Sequence, residues 1–144
     1  MIFTVGHGAR SAEELIAILQ DARIDILVDV RAYPASRRHP QFSKEPLRAA
    51  LADAGMAYQW EGHALGGMRK SYVDHMHTEE FRRSAGALGE MNGRVCLLCA
   101  EANPENCHRW HIADWLVAQG QQVLHLGQKG ESSEHRPHPQ ARLL

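Results

Sequence analysis

The 144-residue sequence lacks a charge excess: it has 16 Lys and Arg against 17 Asp and Glu, a formal net charge of -1. Non-specific affinity for a phosphate backbone needs concentrated positive charge, so the balance argues against a generic polyanion binder. Cysteine is scarce, with 3 residues confined to Cys96, Cys99 and Cys107. An odd number in one short stretch makes a poor disulfide framework, and reduced thiols suit the cytosol. No apolar run approaches the roughly 20 residues that span a bilayer. The stretch Met1-Ile2-Phe3-Thr4-Val5-Gly6-His7 has no basic segment of the kind that opens a signal peptide. No internal repeat is visible. The expectation is a soluble, cytoplasmic protein that makes no membrane contact and forms one domain with a real core.

Short apolar runs alternate with amphipathic helical stretches, the pattern of a parallel sheet with helices on both faces. Ile2 to Val5 reads as a strand, and Ser11 as the N-cap of a helix with Glu13 and Glu14 in its first turn. Ile26 to Val30 is a second strand, apolar enough to be covered on both faces. Ala32 to Phe42 reads as a loop. Ser43 or a neighbour opens a helix that Gly55 stops, and Met56 to Trp60 fits a short strand. Gly62 to Ser71 is a glycine-rich basic loop, and Thr78 opens a helix through Phe81, Ala85 and Leu88. Val95 to Leu98 is the third firm strand and ends at Cys99. Asn106 or Cys107 opens a helix that ends at Gly120, and Gln122 to Leu126 is the last strand. The fold class is α/β, a three-layer, mostly parallel Rossmann-like sheet, with the domain over 1–127. Residues 128–144 lose apolar periodicity and read as a disordered tail, its His135 and His138 solvated.

An open parallel sheet binds ligands outside the carboxyl ends of its strands. There the sequence delivers Gly6-His7-Gly8-Ala9-Arg10 after the first strand, and Asp29-Val30-Arg31 after the second, followed by Tyr33, Arg37, Arg38, Gln41 and Phe42. The third delivers Cys99-Ala100-Glu101, with Cys107-His108-Arg109 opening the next helix. Between Arg31 and Lys70 the bases Arg31, Arg37, Arg38, Lys44, Arg48, Arg69 and Lys70 face only Glu45, Asp53 and Glu61, so a neutral protein can carry a basic face. A helix N-terminus already favours negative charge, and His108-Arg109 sits at one.

Cys99, at a strand mouth, is either a reactive thiol or a small buried hydrophobe. Cys107 fits a helix cap, a resolving thiol for Cys99, or packing; Cys96, inside the strand, is core. His7, between two glycines, is a candidate acid/base group, and Glu101 another. Asp29 and Arg31 point to one face, so an internal ion pair competes with a catalytic role for Asp29. Cys96 and Cys99 point to opposite faces and chelate poorly, so no metal site and no cofactor are expected.

The chain resembles the domain-of-unknown-function 488 family through Thr4-Val5-Gly6-His7, Arg10-Ser11, Glu14-Leu15 and Val28-Asp29-Val30-Arg31. The likeness continues in Pro34-x-Ser36-Arg37-Arg38-x-Pro40-Gln41-Phe42, Leu65-Gly66-Gly67-x-Arg69 and Thr78-x-Glu80-Phe81. It ends in Leu97-Leu98-Cys99-Ala100-Glu101, Cys107-His108-Arg109 and Ala113, so that it spans about residues 2 to 127. The resemblance implies the fold and the site's location rather than a reaction. A weaker likeness to rhodanese-type sulfurtransferases rests on the Asp-x-Arg and on a cysteine ending a later strand. Seven residues, Pro104 among them, separate Cys99 from Cys107, where a compact anion-cradling loop would be needed.

These observations point to an enzyme for a phosphate-bearing or other anionic substrate, a nucleotide or nucleic acid. Cys99 would be the nucleophile, His7, Glu101 and Asp29 further catalytic groups, and Arg31, Arg37, Arg38 and Arg109 the anion's ligands. Arg10, Tyr33, Gln41, Arg69, Cys107 and His108 complete the expected binding set. The alternatives are a nucleic-acid-binding module stacking bases on Tyr33, Phe42 and Tyr72, and a thiol redox or sulfur-relay protein using Cys99 and Cys107.

Overall fold

Alternation along the central strands decides the architecture. In Val95–Cys99, the residues Val95, Leu97 and Cys99 face one core layer, while Cys96 and Leu98 face the other. A strand buried on both faces needs helices on both sides of its sheet. A computed structural model describes residues 1–104 and 107–137 and shows that arrangement. The strands are β1 (Ile2–Gly6), β2 (Ile26–Asp29), β3 (Ala57–Trp60), β4 (Val95–Cys99), β5 (Val123–Leu126) and β6 (Ser132–Glu134). Their order is β3-β2-β4-β1-β5-β6, parallel throughout except that β6 runs antiparallel to β5.

Helices α1 (Ala12–Asp21) and α2 (Lys44–Asp53) cover one face. Leu15, Leu19, Leu47 and Leu51 pack there on Phe3, Val5, Leu27 and Leu98. The other face carries α3 (Gly62–Leu65), α4 (Tyr72–His75), α5 (Glu79–Glu90) and α6 (Arg109–Ala118). Leu65, Phe81, Leu88, Ile112 and Leu116 meet Val28, Leu97 and Val123 there. The starts of α1 and α5 follow from local chemistry. Ser11 accepts from the Glu14 amide at 3.1 Å while Glu14 accepts from the Ser11 amide at 3.0 Å, a reciprocal capping box. Thr78 likewise accepts from the Phe81 amide at 3.2 Å. Ser43 precedes α2 without capping it; its hydroxyl accepts from the Ser36 amide and gathers the Ala32–Phe42 loop, which ends in a 3₁₀ turn over Pro40–Phe42.

Two segments differ from the sequence reading. Gly62 to Ser71 is not wholly loop, since its first four residues form α3. The tail does not lose structure at Gly127. Ser132–Glu134 pairs with β5, and His135 is buried rather than solvated. His135 Nε2 donates to Asp114 at 2.6 Å, and a carboxylate only accepts, which orders the rest of a chain. His125 Nε2 donates to His135 Nδ1 at 2.8 Å, and the Thr4 hydroxyl donates to His125 Nδ1. Trp110 stacks on His125 with centroids 5.0 Å apart. Periodicity cannot reveal a strand held by buried polar bonds instead of an apolar stripe. His138 and Asn106, to which the sequence reading gave roles, lie outside the described residues.

Candidate functional site

The strand mouths of β1, β2 and β4 meet because β4 lies between the other two. At the first, the His7 and Gly8 amides donate to the Cys99 and Ala100 carbonyls at 3.0 and 2.9 Å, so pairing continues past the strands. A side chain at Gly6 would put its Cβ 1.7 Å from the Glu101 carbonyl oxygen; only glycine allows this approach. The His7 ring is buried and stacks on Phe42 at 4.6 Å. Its Nδ1 donates to the Gly8 carbonyl at 2.9 Å, which leaves the lone pair on Nε2. Burial, aided by the charge of Arg31, holds its pKa below the ordinary histidine value, so it is a neutral base near pH 7.

At the second mouth Asp29 grips Arg31. Nε and Nη2 of Arg31 donate to the two carboxylate oxygens at 2.8 and 2.7 Å, and the Tyr58 hydroxyl donates to Oδ2. Asp29 is fully buried and satisfied, so the catalytic role expected of it gives way to the ion pair that was its alternative. Arg31 itself is 6% exposed, and its Nη1 has no hydrogen-bond partner among the described residues.

At the third mouth the two thiols differ. Cys99 is buried, and its Sγ donates to the Glu101 carbonyl at 3.5 Å. Burial, together with its hydrogen bond toward Cys107, pushes its thiol well above the usual range. Cys107 moves the other way. The hydrogen bond from Cys99 favours its thiolate most, aided by His108 and by the Arg109 amide, which reaches its sulfur at 3.5 Å. His108 Nε2 donates to the Val30 carbonyl at 2.9 Å, which turns Nδ1 toward Cys107 Sγ at 3.6 Å. Gly67 leaves room for that ring, since a Cβ there would stand 3.1 Å from Nδ1. The neighbours that stabilise a thiolate therefore surround Cys107 rather than Cys99, where the sequence placed the nucleophile.

One cleft of about 630 Å³ gathers these groups. Its lining includes His7, Arg31, Tyr33, Arg37, Arg38, Cys99, Glu101, Cys107 and His108, all among the residues expected from sequence. Arg37 and Arg38 are exposed there and form no ion pair among the described residues. Four expected binding residues are placed elsewhere. Arg109 is 0% exposed beneath the loop, where Nη2 donates to the Ala102 carbonyl at 3.0 Å and Nε and Nη1 have no partner among the described residues. Its charge acts on the thiols through the protein, favouring a thiolate at Cys99. Arg69 donates to the His63 and Gly66 carbonyls of its own loop. Arg10 donates to the Gly6 carbonyl, and Gln41 to the Arg10 carbonyl, so both brace the loop of His7.

Of the expected stacking rings, Phe42 is buried, the Tyr72 hydroxyl is bonded to the Leu65 carbonyl, and only Tyr33, at 69%, is well exposed. Sequence reasoning passed over His39, Gly67 and Met68, which also line the cleft. His39 sits inside the Pro34–Phe42 segment, and Met68 has a left-handed φ of 62° and is 83% exposed. Neither carries a spacing signal that could have singled it out.

A family model described as a domain of unknown function, DUF488, matches residues 11–116. No curated protein and no solved structure matches the chain.

Proposed function

We propose a reaction for this chain, which belongs to the DUF488 family, from the chemistry gathered in its cleft. The protein is a thiol-dependent enzyme for a phosphate-bearing or other anionic substrate, a nucleotide or nucleic-acid phosphate being the class its charge suits. The observation that carries the reading is Arg31. Asp29 fixes its guanidinium beside the cleft that Cys107 also lines, and Nη1 is a buried donor with no partner among the described residues. Leaving such a donor unsatisfied costs on the order of 1–3 kcal/mol or more, which an anion returns. Arg37 and Arg38 add positive charge at the rim.

Cys107 is the nucleophile, its proton passing to His108 Nδ1. The thiolate attacks the electrophilic centre, and the leaving group takes the proton back from Nδ1. His7 Nε2, neutral and unprotonated, accepts a proton from the water that releases the product from sulfur. Glu101, exposed at the rim, disfavours a second anionic group on that side.

Paired alkylating agents test the reading without a known substrate. Iodoacetate, an anion, should label Cys107 faster than neutral iodoacetamide does, and inorganic phosphate should slow both. Replacing Arg37 and Arg38 with Ala should abolish the preference while Cys107 still reacts near pH 7. Equal rates with the two reagents and no protection by phosphate would sink the anion site; labelling of Cys99 before Cys107 would sink the assignment of the nucleophile.

A further inference from the structure

A single nucleophilic cysteine needs no second thiol, yet Cys99 lies within hydrogen-bonding reach of Cys107. Both residues line the same cleft, and both are free cysteines. The partners around them are unequal. His108, anchored on the Val30 carbonyl, and the Arg109 amide serve Cys107, while Cys99 has the Glu101 carbonyl and lies 1% exposed. Cys107 is thus the partly exposed residue of the two, and Cys99 is covered with Cys107 beside it.

We propose that this pair gives the protein a second activity, the reduction of small hydroperoxides, in which Cys107 is oxidised and Cys99 then closes a Cys99–Cys107 disulfide. It rests on the reading of Cys107 as the cleft's thiolate, but not on an anionic substrate. Cys107 sulfur attacks the terminal peroxide oxygen; the S–O bond forms as the O–O bond breaks, and the departing alkoxide or hydroxide takes the proton held by His108 Nδ1. The sulfur becomes a sulfenic acid. Cys99 then attacks that sulfur, the S–S bond forms, the S–O bond breaks, and hydroxide leaves with the Cys99 proton as water. Two thiols lose two electrons, and the peroxide becomes an alcohol (or water) and one water. A small dithiol reductant restores the pair.

The surroundings favour the second step at the right moment. The negative charge of Cys107 holds the Cys99 proton in place, and oxidation removes that charge. The buried guanidinium of Arg109 remains, and its charge favours the Cys99 thiolate that must attack. His108 carries the proton in this cycle, and Arg109 acts only through Cys99.

Thiol titration in denaturant after one equivalent of hydrogen peroxide tests the proposal. The 3 cysteines should fall to one titratable thiol, with a mass loss of about 2 Da, and dithiothreitol should restore them. Cleavage at Glu101 separates Cys107 from Cys96 and Cys99; fragmentation of the linked peptides should assign the bond to Cys99. Cys99→Ser should stop at a dimedone-reactive sulfenic acid on Cys107. Cys107→Ser should slow thiol loss by more than about thirtyfold at pH 7, since even an ordinary thiol is ionised there to only a few per cent and the remaining two are held higher. If Cys99→Ser fails to fold, the linked peptide in the unaltered protein decides. An unchanged thiol count, a bond to Cys96, or sulfinic acid at Cys107 beside an intact Cys99 thiol would overturn it. Disulfide formation without phosphate protection from alkylation would defeat only the anionic-substrate reading, and the reverse result only this one.

Discussion

Asp29 and Arg31 show how one residue pair sets the character of a site. The carboxylate takes two guanidinium donors, the Arg31 amide and the Tyr58 hydroxyl, so the pair is buried with nearly every bond made. Removing one partner strands the other charge, a loss of about 3–5 kcal/mol. Asp29→Asn should therefore lower unfolding stability by about that amount in urea titration. Tyr58→Phe, which removes a single hydrogen bond, should lower it by about 1 kcal/mol. Equal, small effects would mean that the pair does not hold Arg31 in place. The two alternatives for Asp29 are legible in the sequence, because residues two apart on a strand share a face; the choice between them is not, because Tyr58 comes from β3. The same holds for the thiols. That cysteines lie at a strand mouth can be read from the sequence. Which one is favoured as thiolate depends on the hydrogen bond between them and on His108, and that ring is turned by a carbonyl 78 positions away.

At the level of elements, the sequence shows the central strands well and the edges poorly. β1, β2 and β4 are short apolar runs bounded by polar residues, and their buried alternation is the signal itself. β6 has all three residues exposed, and it is held through His135 to Asp114 of α6 and His125 of β5. His135→Ala should destabilise the protein, since Asp114 and His125 each lose a bond at about 1–3 kcal/mol per group left unsatisfied. Deleting the chain from Lys129 onward should do at least as much. Thermal unfolding followed by circular dichroism checks both; an unchanged melting temperature in the deletion would show that the clip contributes nothing.

For the whole molecule, acid is the condition that matters most. His7 and His125 are buried, and both have pKa values below the ordinary 6.5, His125 at about 3. Desolvation is the main cause for each; His135 and Arg109 push His125 further down, while Asp114 opposes them. An unfolded chain binds protons at these positions near pH 6 and the folded one does not. Stability is therefore complete above pH 6.5 and falls below it, by up to about 1.4 kcal/mol per pH unit for each histidine. Urea midpoints should drop from pH 7 to pH 5, and a flat profile would contradict the burial of neutral rings. Convergence on the cleft is legible at this scale, because parallel topology sends every strand mouth to one side; its net electrostatic sense is not, because Arg10, Arg69 and Arg109 turn away from it.

β1 is made long before either of its sheet neighbours and is one of the last strands to find its place. Its neighbours are β4 and β5, with Ile2 opposite Val95 on one side and Val123 on the other. At about 5–20 residues per second, synthesis leaves it without either neighbour for roughly 5–20 seconds. β2 waits as well, since its inner partner is also β4. Throughout that interval Ile2–Gly6 is an apolar, uncharged segment with both edges unpaired, open to the same segment of a neighbouring nascent copy. Translation pauses ahead of Val95 lengthen the exposure; pauses after Leu126 do not, because by then both neighbours of β1 have been made.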